Sequence, residues 1–287
     1  MRYTTLISAA SLRSLLATDA DVLLVDCTAD LARPEAGGAQ FLAAHIPTAI
    51  HADLEHDLSV HGDTPAASGG RHPLPAREAV AQWASSVGLK AEQQVVVYDR
   101  NGLNFCVRLW WMLKWMGHDH VAVLDGGLAA WQAAGGALEA GPARGRPAGD
   151  ADLLRPSLRV LTTVDQVHLA LGSPAQTLID ARATPRYKGE VEPLDPVAGH
   201  IPGALNRPFA SNLDEHGFFK EPAQLRAEFE ALLKGRDPAS VVHYCGSGVS
   251  ALPNLLAMEV AGFAPTALFA GSWSEWCREP SRPVEKG

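Results

Sequence analysis

One cysteine of this chain, Cys245, lies where an α/β protein would place a nucleophile. It follows a run of apolar residues and begins the loop CGSGVS (245–250), which contains Gly246 and Gly248. Ligands of parallel α/β sheets bind beyond the carboxyl ends of the strands, and glycines there let backbone N–H groups face a bound anion. The positive end of a following helix would favour the thiolate, which is the nucleophilic form of cysteine. The sequence therefore predicts that Cys245 is a catalytic nucleophile.

The other three cysteines, Cys27, Cys106 and Cys277, carry no comparable signal. They are far apart, form no CxxC pair and lie in no Cys/His cluster with the spacing of zinc ligands. We expect each of them to be a small buried apolar side chain, and we expect no disulfide framework and no bound metal.

An internal repeat provides the elements that position the cysteine. Four segments of the first half recur in the same order in the second half, which predicts two copies of one domain. Asp99 of the first copy falls opposite Cys245 of the second, so only the second copy contains the nucleophile. The pairs are VLLVD (22–26) and TLID (177–180), HIPTAI (45–50) and HIPGAL (200–205), VVVYD (95–99) and SVVHYC (240–245), and VAVLDGGLAAW (121–131) and TALFAGSWSEW (266–276).

Within each copy, short apolar runs alternate with longer amphipathic stretches. The run 95–99 precedes a helix-like segment at 104–117 that ends in glycine, and the run 240–245 precedes another at 249–262. This alternation predicts an α/β fold in which each domain has a central parallel sheet with helices on both faces.

A segment rich in Gly, Pro and charged residues separates the two copies. It covers residues 141–156, lacks apolar periodicity and is typical of an exposed linker. The predicted domains are therefore residues 1–140 and residues 157–287.

Composition excludes several partner classes. The chain has 287 residues, of which 47% are hydrophobic, and a formal net charge of −8. A net negative chain lacks the cationic field that nucleic acids and anionic membranes require, so we expect neither as a partner. No apolar run approaches the ~20 residues that span a bilayer, and the N-terminus has no signal-peptide pattern. We expect a cytoplasmic protein.

Three motifs, together with the repeat, carry a resemblance to a known family. They are the CGSGVS loop, the segment DAR…RY…GHIPGA (180–204) and GSWSEW (271–276). They resemble the tandem-domain sulfurtransferases of the rhodanese and 3-mercaptopyruvate sulfurtransferase family, over nearly the whole chain. The resemblance implies two rhodanese-like domains, the first catalytically inactive and the second carrying a cysteine that forms a persulfide.

The resemblance also implies roles for residues around Cys245. Ser247 would hydrogen-bond near the cysteine sulfur, or it is simply a turn-forming serine. Arg186 would hold the donor's carboxylate or sulfonyl oxygens, or it forms a surface ion pair. Arg182 would orient the site loop or pair with Asp180. Backbone N–H groups that stabilise the negative sulfur would come from the loop residues Gly246, Ser247, Gly248, Val249 and Ser250.

The first copy contains a further candidate in RHPLP (71–75), which resembles an H-x-L-P segment of the family. His72 would be a proton donor, with Asp57 as the residue that orients it. The alternative for His72 is a solvated loop histidine.

The loop composition and a missing arginine give opposite indications about the donor. CGSGVS is uncharged and resembles the loop of mercaptopyruvate-preferring members, whereas thiosulfate-preferring members resemble C-R-K-G-V-T. Mercaptopyruvate enzymes of the family usually carry a second arginine in an EPR motif, but this chain has EPLD, with Leu194 at that position. Arg207 is a weak candidate for a replacement. Ala251 stands where rhodanese-fold phosphatases of C-x5-R type have arginine, which argues against phosphatase chemistry.

These observations predict a sulfurtransferase that needs no cofactor, because cysteine itself carries the sulfur. The expected partners are a small-molecule sulfur donor, 3-mercaptopyruvate or thiosulfate, and a thiol, thioredoxin-like or cyanide acceptor. A thiosulfate-preferring rhodanese, a non-enzymatic sulfur carrier and a redox-sensing cysteine domain are the alternatives.

Overall fold

The chain folds into two compact units in the computed structural model, which describes residues 2–18, 20–150 and 152–287. The first unit consists of Met1–Val60, Pro75–Leu158 and Glu215–Phe218, and the second of His61–Leu74, Arg159–Asp214 and Phe219–Gly287. The segment His61–Leu74 comes from the first half of the sequence and belongs to the second unit, which the sequence repeat does not predict.

The first unit contains a five-stranded parallel sheet of order β1-β5-β4-β2-β3. Its central strands are buried on both faces, as expected for a parallel sheet that is covered by helices. The strands are β1 (Leu6–Ile7), β2 (Val22–Asp26), β3 (Ile50–His51), β4 (Gln94–Tyr98) and β5 (Val121–Leu124).

Five helices flank this sheet. The predicted helix at 104–117 is α4, whose residues are all buried, including the apolar stripe of tryptophans, and it ends at Gly117 with φ +102°. Only glycine adopts that conformation without strain, so the helix ends where the sequence predicts. The helices are α1 (Ala9–Leu16), α2 (Ala36–Ala43), α3 (Arg77–Ser86), α4 (Cys106–Met116) and α5 (Gly127–Ala133).

The second unit repeats this sheet in the order β6-β10-β9-β7-β8, again with every pair parallel. Strand for strand, β9 corresponds to β4. The strands are β6 (Val160–Leu161), β7 (Thr177–Asp180), β8 (Leu205–Asn206), β9 (Val241–Tyr244) and β10 (Ala267–Leu268). The prediction of two α/β domains with central parallel sheets is confirmed.

The helices of the second unit include the one that follows the cysteine loop. This helix is α9, and Pro253 lies in its first turn, where a missing N–H breaks no helical hydrogen bond. The GSWSEW segment forms α10, whose Trp273 and Trp276 are fully buried in the core of the unit. The helices are α6 (Val164–Leu169), α7 (Thr184–Tyr187), α8 (Pro222–Leu233), α9 (Leu252–Val260) and α10 (Ser272–Trp276), with 3₁₀ turns at Phe209–Asn212 and Pro238–Ser240.

Across the described residues, none of the helices combines the length and the apolar character that crossing a membrane requires.

Candidate active site

Cys245 directly follows β9, and its side chain is buried. The start of α10 holds the backbone here, since the Cys245 N–H donates to Ser272 Oγ at 3.1 Å and the Trp273 N–H donates to the Cys245 carbonyl at 3.0 Å. The Ser274 N–H donates to the Gly246 carbonyl at 2.9 Å. The GSWSEW motif therefore positions the first two residues of the loop.

Two glycines of the loop are required for different reasons. Gly248 has φ +75°, and a Cβ added to it would lie 2.1 Å from the carbonyl oxygen of Ala270, so no side chain fits there. A Cβ added to Gly246 would lie 3.2 Å from Arg71 Nη2 and 3.5 Å from Arg186 Nη1. The bare main chain at Gly246 thus lets two guanidinium groups lie next to the loop.

The backbone N–H groups of the loop are available to stabilise a negative charge. Within the described part of the chain, the N–H groups of Gly246, Ser247, Val249 and Ser250 donate to no protein acceptor. The following helix begins at Leu252, so the positive end of its dipole acts on the same region. This arrangement is suited to a thiolate or a persulfide anion at the start of the loop.

A serine–histidine pair lies two residues beyond the cysteine. Ser247 Oγ and His72 Nδ1 are 2.7 Å apart, and both side chains are buried. His72 reaches this position because its segment, His61–Leu74, is part of the second unit. Its burial rules out a solvated loop histidine. A hydroxyl bonded to an imidazole forms a path along which a proton can move.

Asp57, the predicted partner of His72, belongs to the first unit. Its Oδ2 accepts the N–H of Asp53 at 2.8 Å, and burial raises the pKa of the Asp57 carboxyl. An orienting role of Asp57 toward His72 stays a prediction.

Arg186 forms ion pairs and remains partly accessible. Its Nη2 donates to Glu192 Oε1 at 2.6 Å and to Asp195 Oδ2 at 3.3 Å, while one-fifth of the side chain is exposed. Burial works to raise the pKa of Glu192, but the hydrogen bond and charge of Arg186 and the backbone N–H groups of Leu194 and Asp195 together outweigh it and hold that pKa below its usual value. The two interpretations of Arg186 are therefore compatible, because an internal ion pair holds the guanidinium beside Gly246.

Arg182 is held by a buried ion pair. It is buried, its Nη2 donates to Asp180 Oδ2 at 2.6 Å and to the Gly199 carbonyl at 2.7 Å, and its guanidinium lies 4.8 Å from the ring centre of Trp273. Burial would lower the pKa of Arg182, but the carboxylate of Asp180 outweighs it and raises that pKa. Of the two predicted roles, the ion pair with Asp180 is present, and orienting the site loop stays a prediction.

Arg71 is the site residue that sequence reasoning missed. Its Nη1 donates to Asp195 Oδ1 at 2.6 Å, and its backbone N–H donates to Ser274 Oγ at 2.9 Å. It directly precedes His72, in the RHPLP segment that was singled out for the histidine alone. The sequence feature that could have identified Arg71 is its place directly before His72, in a motif already predicted to contribute to the site.

Arg207 is engaged elsewhere in the second unit. Its Nε donates to Asn212 Oδ1 at 2.9 Å and its Nη2 to Glu228 Oε2 at 2.8 Å. It is therefore held by its own buried network. At the position of the missing arginine, the side chain of Leu194 is largely exposed.

No group of three or more His, Cys, Asp or Glu side chains that could hold a metal ion occurs among residues 2–18, 20–150 and 152–287. All four cysteines are buried, and none of the four forms a disulfide.

Comparison with known proteins gives one consistent result. The rhodanese-like domain family matches residues 8–134 and again residues 163–279. A probable 3-mercaptopyruvate sulfurtransferase of Pseudomonas aeruginosa is 47% identical over 273 residues, which is 94% of each chain. A putative thiosulfate sulfurtransferase of Mycobacterium tuberculosis is 40% identical over 98% of this chain and 97% of its own. The 3-mercaptopyruvate sulfurtransferase structure from Leishmania major superposes with a TM-score of 0.82 at 30% identity, over 98% of this chain and 75% of that one.

The two units have parallel sheets of the same strand order, and the cysteine loop follows the strand of the second unit that corresponds to β4. This arrangement defines the class of two-domain sulfurtransferases. The chain belongs to the rhodanese family.

Proposed function

We propose that this chain transfers a sulfur atom from 3-mercaptopyruvate to a thiol, thioredoxin-like or cyanide acceptor, through a persulfide on Cys245. The observation that carries the choice of donor is the charge around the loop. The loop itself is uncharged, and the guanidinium groups of Arg71 and Arg186 are matched by the carboxylates of Glu192 and Asp195.

This balance of charges favours a donor with a single negative charge. Both carboxylates are almost fully buried, so they oppose an incoming anion with little screening by water. The 3-mercaptopyruvate anion brings one charge, whereas thiosulfate brings two. Because carboxylates already match both guanidinium groups, each negative charge on the donor is opposed, and the doubly charged thiosulfate is the poorer donor.

In the first half-reaction, the thiolate of Cys245 attacks the thiol sulfur of 3-mercaptopyruvate. A sulfur–sulfur bond forms, the carbon–sulfur bond breaks, and its electron pair stays on the carbon as the enolate of pyruvate. A proton then converts the enolate to pyruvate, and Cys245 is left as a persulfide. The Ser247–His72 pair is buried and lies two residues beyond Cys245 in the loop, so we assign proton delivery to His72.

In the second half-reaction, the acceptor attacks the outer sulfur of the persulfide. The sulfur–sulfur bond breaks, its electron pair returns to Cys245 as the thiolate, and the sulfur leaves on the acceptor as a new persulfide or as thiocyanate. Loop N–H groups at residues 246–250 stabilise the negative sulfur in both half-reactions. No group other than cysteine needs to carry the sulfur.

The first unit has Asp99 at the position of the nucleophile, so we assign sulfur transfer to the second unit alone. We retain the predicted boundaries at residues 140 and 157 and a cytoplasmic location as parts of this proposal.

A preference for thiosulfate is the second candidate, and the specific observation in its favour is Leu194 in place of the expected arginine. Relatives of both names are among the similar proteins.

The deciding experiment compares kcat/KM for 3-mercaptopyruvate and thiosulfate, with cyanide as the common acceptor. We expect a clear preference for 3-mercaptopyruvate. A preference for thiosulfate would overturn the charge argument, and negligible turnover of both donors would instead identify a sulfur carrier that is loaded by a partner protein.

A further inference from the structure

We infer that Arg71 and Arg186 together hold the carboxylate of the donor, so that Arg71 supplies the second cation that Leu194 cannot provide. This inference rests on the proposed function and names the residues that recognise its substrate. Arg71 acts from the His61–Leu74 segment, well separated in sequence from the motifs around the cysteine.

The geometry places both guanidinium groups on the same side of the loop. A Cβ at Gly246 would contact Arg71 Nη2 and Arg186 Nη1, at 3.2 and 3.5 Å. Gly246 directly follows the nucleophile, so an anionic group bound by these two nitrogen atoms lies next to the reacting sulfur. Two guanidinium groups converging on one point are well suited to a carboxylate, whose two oxygens each accept from one of them.

Asp195 sets the spacing of the pair. Its Oδ1 accepts from Arg71 Nη1 at 2.6 Å, and its Oδ2 accepts from Arg186 Nη2 at 3.3 Å. These contacts leave Arg71 Nη2 and Arg186 Nη1 as the nitrogen atoms nearest to Gly246. Because the carboxylate of Asp195 is almost fully buried and bridges both arginines, it holds the two side chains in position before the donor arrives.

The backbone at Arg71 is fixed by the same element that fixes the cysteine. Ser274 of α10 accepts the Arg71 N–H through its Oγ and donates its own N–H to the Gly246 carbonyl. Arg71 therefore shares its anchor with the loop. About 29% of its side chain is exposed, which leaves it accessible to a small anion.

The test compares Arg71→Ala with Arg226→Ala, a matched loss of an arginine on α8 that forms an exposed i,i+4 ion pair with Glu230 and lies over the ring of Phe263. Each variant is assayed with 3-mercaptopyruvate and with 1-mercaptopropan-2-one, which has the same reacting atoms but no carboxylate. We expect Arg71→Ala to raise KM for 3-mercaptopyruvate about 10- to 100-fold, the range for losing a charge-assisted hydrogen bond. Three other constants of Arg71→Ala should stay within about threefold of wild type, namely kcat, KM for 1-mercaptopropan-2-one and KM for cyanide. Every constant of Arg226→Ala should stay within the same range.

Two results would overturn the inference. Equal losses with both donors would mean that Arg71 only supports the loop, and a fall in kcat with an unchanged KM would mean that it acts by positioning His72. Arg71→Lys keeps the charge without the planar fork and should lie between wild type and Arg71→Ala, so it provides the test if the alanine variant does not fold.

A calorimetric measurement separates this inference from the proposed function. We expect 3-mercaptopyruvate to bind the unreactive Cys245→Ser variant, and to bind Cys245→Ser/Arg71→Ala about 10- to 100-fold more weakly. If wild-type protein turns over neither donor, the proposed function fails. If the two serine variants bind 3-mercaptopyruvate equally, or neither binds it, the role of Arg71 fails.

Discussion

The loop after β4 and the loop after β9 occupy the same position in two sheets of the same strand order, but different groups face their N–H donors. In the first unit the carboxylate of Asp99 accepts four backbone N–H groups of its own loop. Its Oδ1 accepts from Asn101 and Leu103 at 2.9 and 3.0 Å, and its Oδ2 accepts from Phe105 and Cys106 at 2.8 and 2.9 Å.

In the second unit the corresponding residue is Cys245, and four loop N–H groups have no protein acceptor among the described residues. In both units, therefore, the strand-to-helix loop creates a site for negative charge. The first unit satisfies its site with a resident carboxylate, and we propose that this loop is structural. In the proposed mechanism, the second unit leaves its donors for the charge that develops on sulfur.

The largest expected effect is the loss of the nucleophile. Cys245→Ser should abolish sulfur transfer, because a hydroxyl does not form the persulfide. The measurement is turnover with cyanide, combined with mass spectrometry of the donor-treated protein, which in wild type should gain one sulfur atom on the peptide containing Cys245. Cys277→Ser is the matched control in the same unit and should keep wild-type activity. Retention of more than a few per cent of activity by Cys245→Ser would contradict the mechanism.

Next in size is the effect of crowding each loop with one methyl group. Gly248→Ala would place Cβ 2.1 Å from the Ala270 carbonyl, and Gly127→Ala would place it 2.4 Å from the Asp99 carbonyl, both at positive φ. We expect Gly248→Ala to lower kcat/KM about 10- to 100-fold through displaced N–H donors. Gly127→Ala should instead lower the free energy of unfolding by about 1–3 kcal/mol and leave kcat/KM unchanged.

Gly262→Ala controls for the cost of positive φ alone, since Gly262 has φ +81° and open space around its Cβ position. It should be destabilised by about 1–2 kcal/mol with full activity. Similar activity losses in Gly248→Ala and Gly127→Ala would remove the distinction between a catalytic loop and a structural one.

A smaller effect is expected when the resident acceptor is weakened. Asp99→Asn replaces one carboxylate oxygen with an N–H₂ group, so two buried loop N–H groups lose their acceptor. We expect the free energy of unfolding to fall by about 2 kcal/mol, measured by urea denaturation, with kcat/KM unchanged. Asp152→Asn, at an exposed position of the same unit, should leave the free energy of unfolding unaltered. A loss of activity in folded Asp99→Asn would show that the first unit takes part in catalysis.

The smallest effect concerns the pH dependence of the cysteines near Asp99. Burial, reinforced by the charge of Asp99, raises the pKa of Cys106 well above 9.0, and burial with the charge of Asp26 does the same for Cys27. Their alkylation by iodoacetamide should therefore stay slow in the native protein between pH 7 and 9 and become fast in denaturant. Because these thiols would ionise above pH 9.0 only in the unfolded chain, stability should fall as the pH rises past that value. Native labelling of Cys106 that accelerates between pH 7 and 9 would contradict this burial argument.

Much of the fold was predictable because its signals are local. The apolar run at 95–99 and the helix-like segment that ends at Gly117 correspond to β4 and α4, with boundaries off by one or two residues. Strands of two residues, such as β6 and β10, are too short for any periodicity to reveal them. Their existence depends on pairing with a longer neighbour, which is a property of the assembled sheet.

The candidate site was predictable in part. Cys245 and its glycines form one contiguous motif, and the family resemblance singled out Ser247 and His72 separately. Their 2.7 Å contact with each other was not predicted. On sequence grounds Arg182 could have oriented the site loop or paired with Asp180, and the structure shows the buried pair. Burial of a side chain depends on everything packed around it, so the sequence could not decide between the two.

The proposed nucleophile, the uncharged glycine loop and the duplication of an α/β domain could be predicted from the sequence, because each is written in consecutive residues or in a repeat. The position of Arg71 beside that loop depends instead on the tertiary structure. Arg71 and Asp195 are 124 positions apart in the chain, and their 2.6 Å contact exists only because residues 61–74 fold with the second unit. A contact between residues so distant leaves no local pattern, since the two side chains meet only after the chain between them has folded.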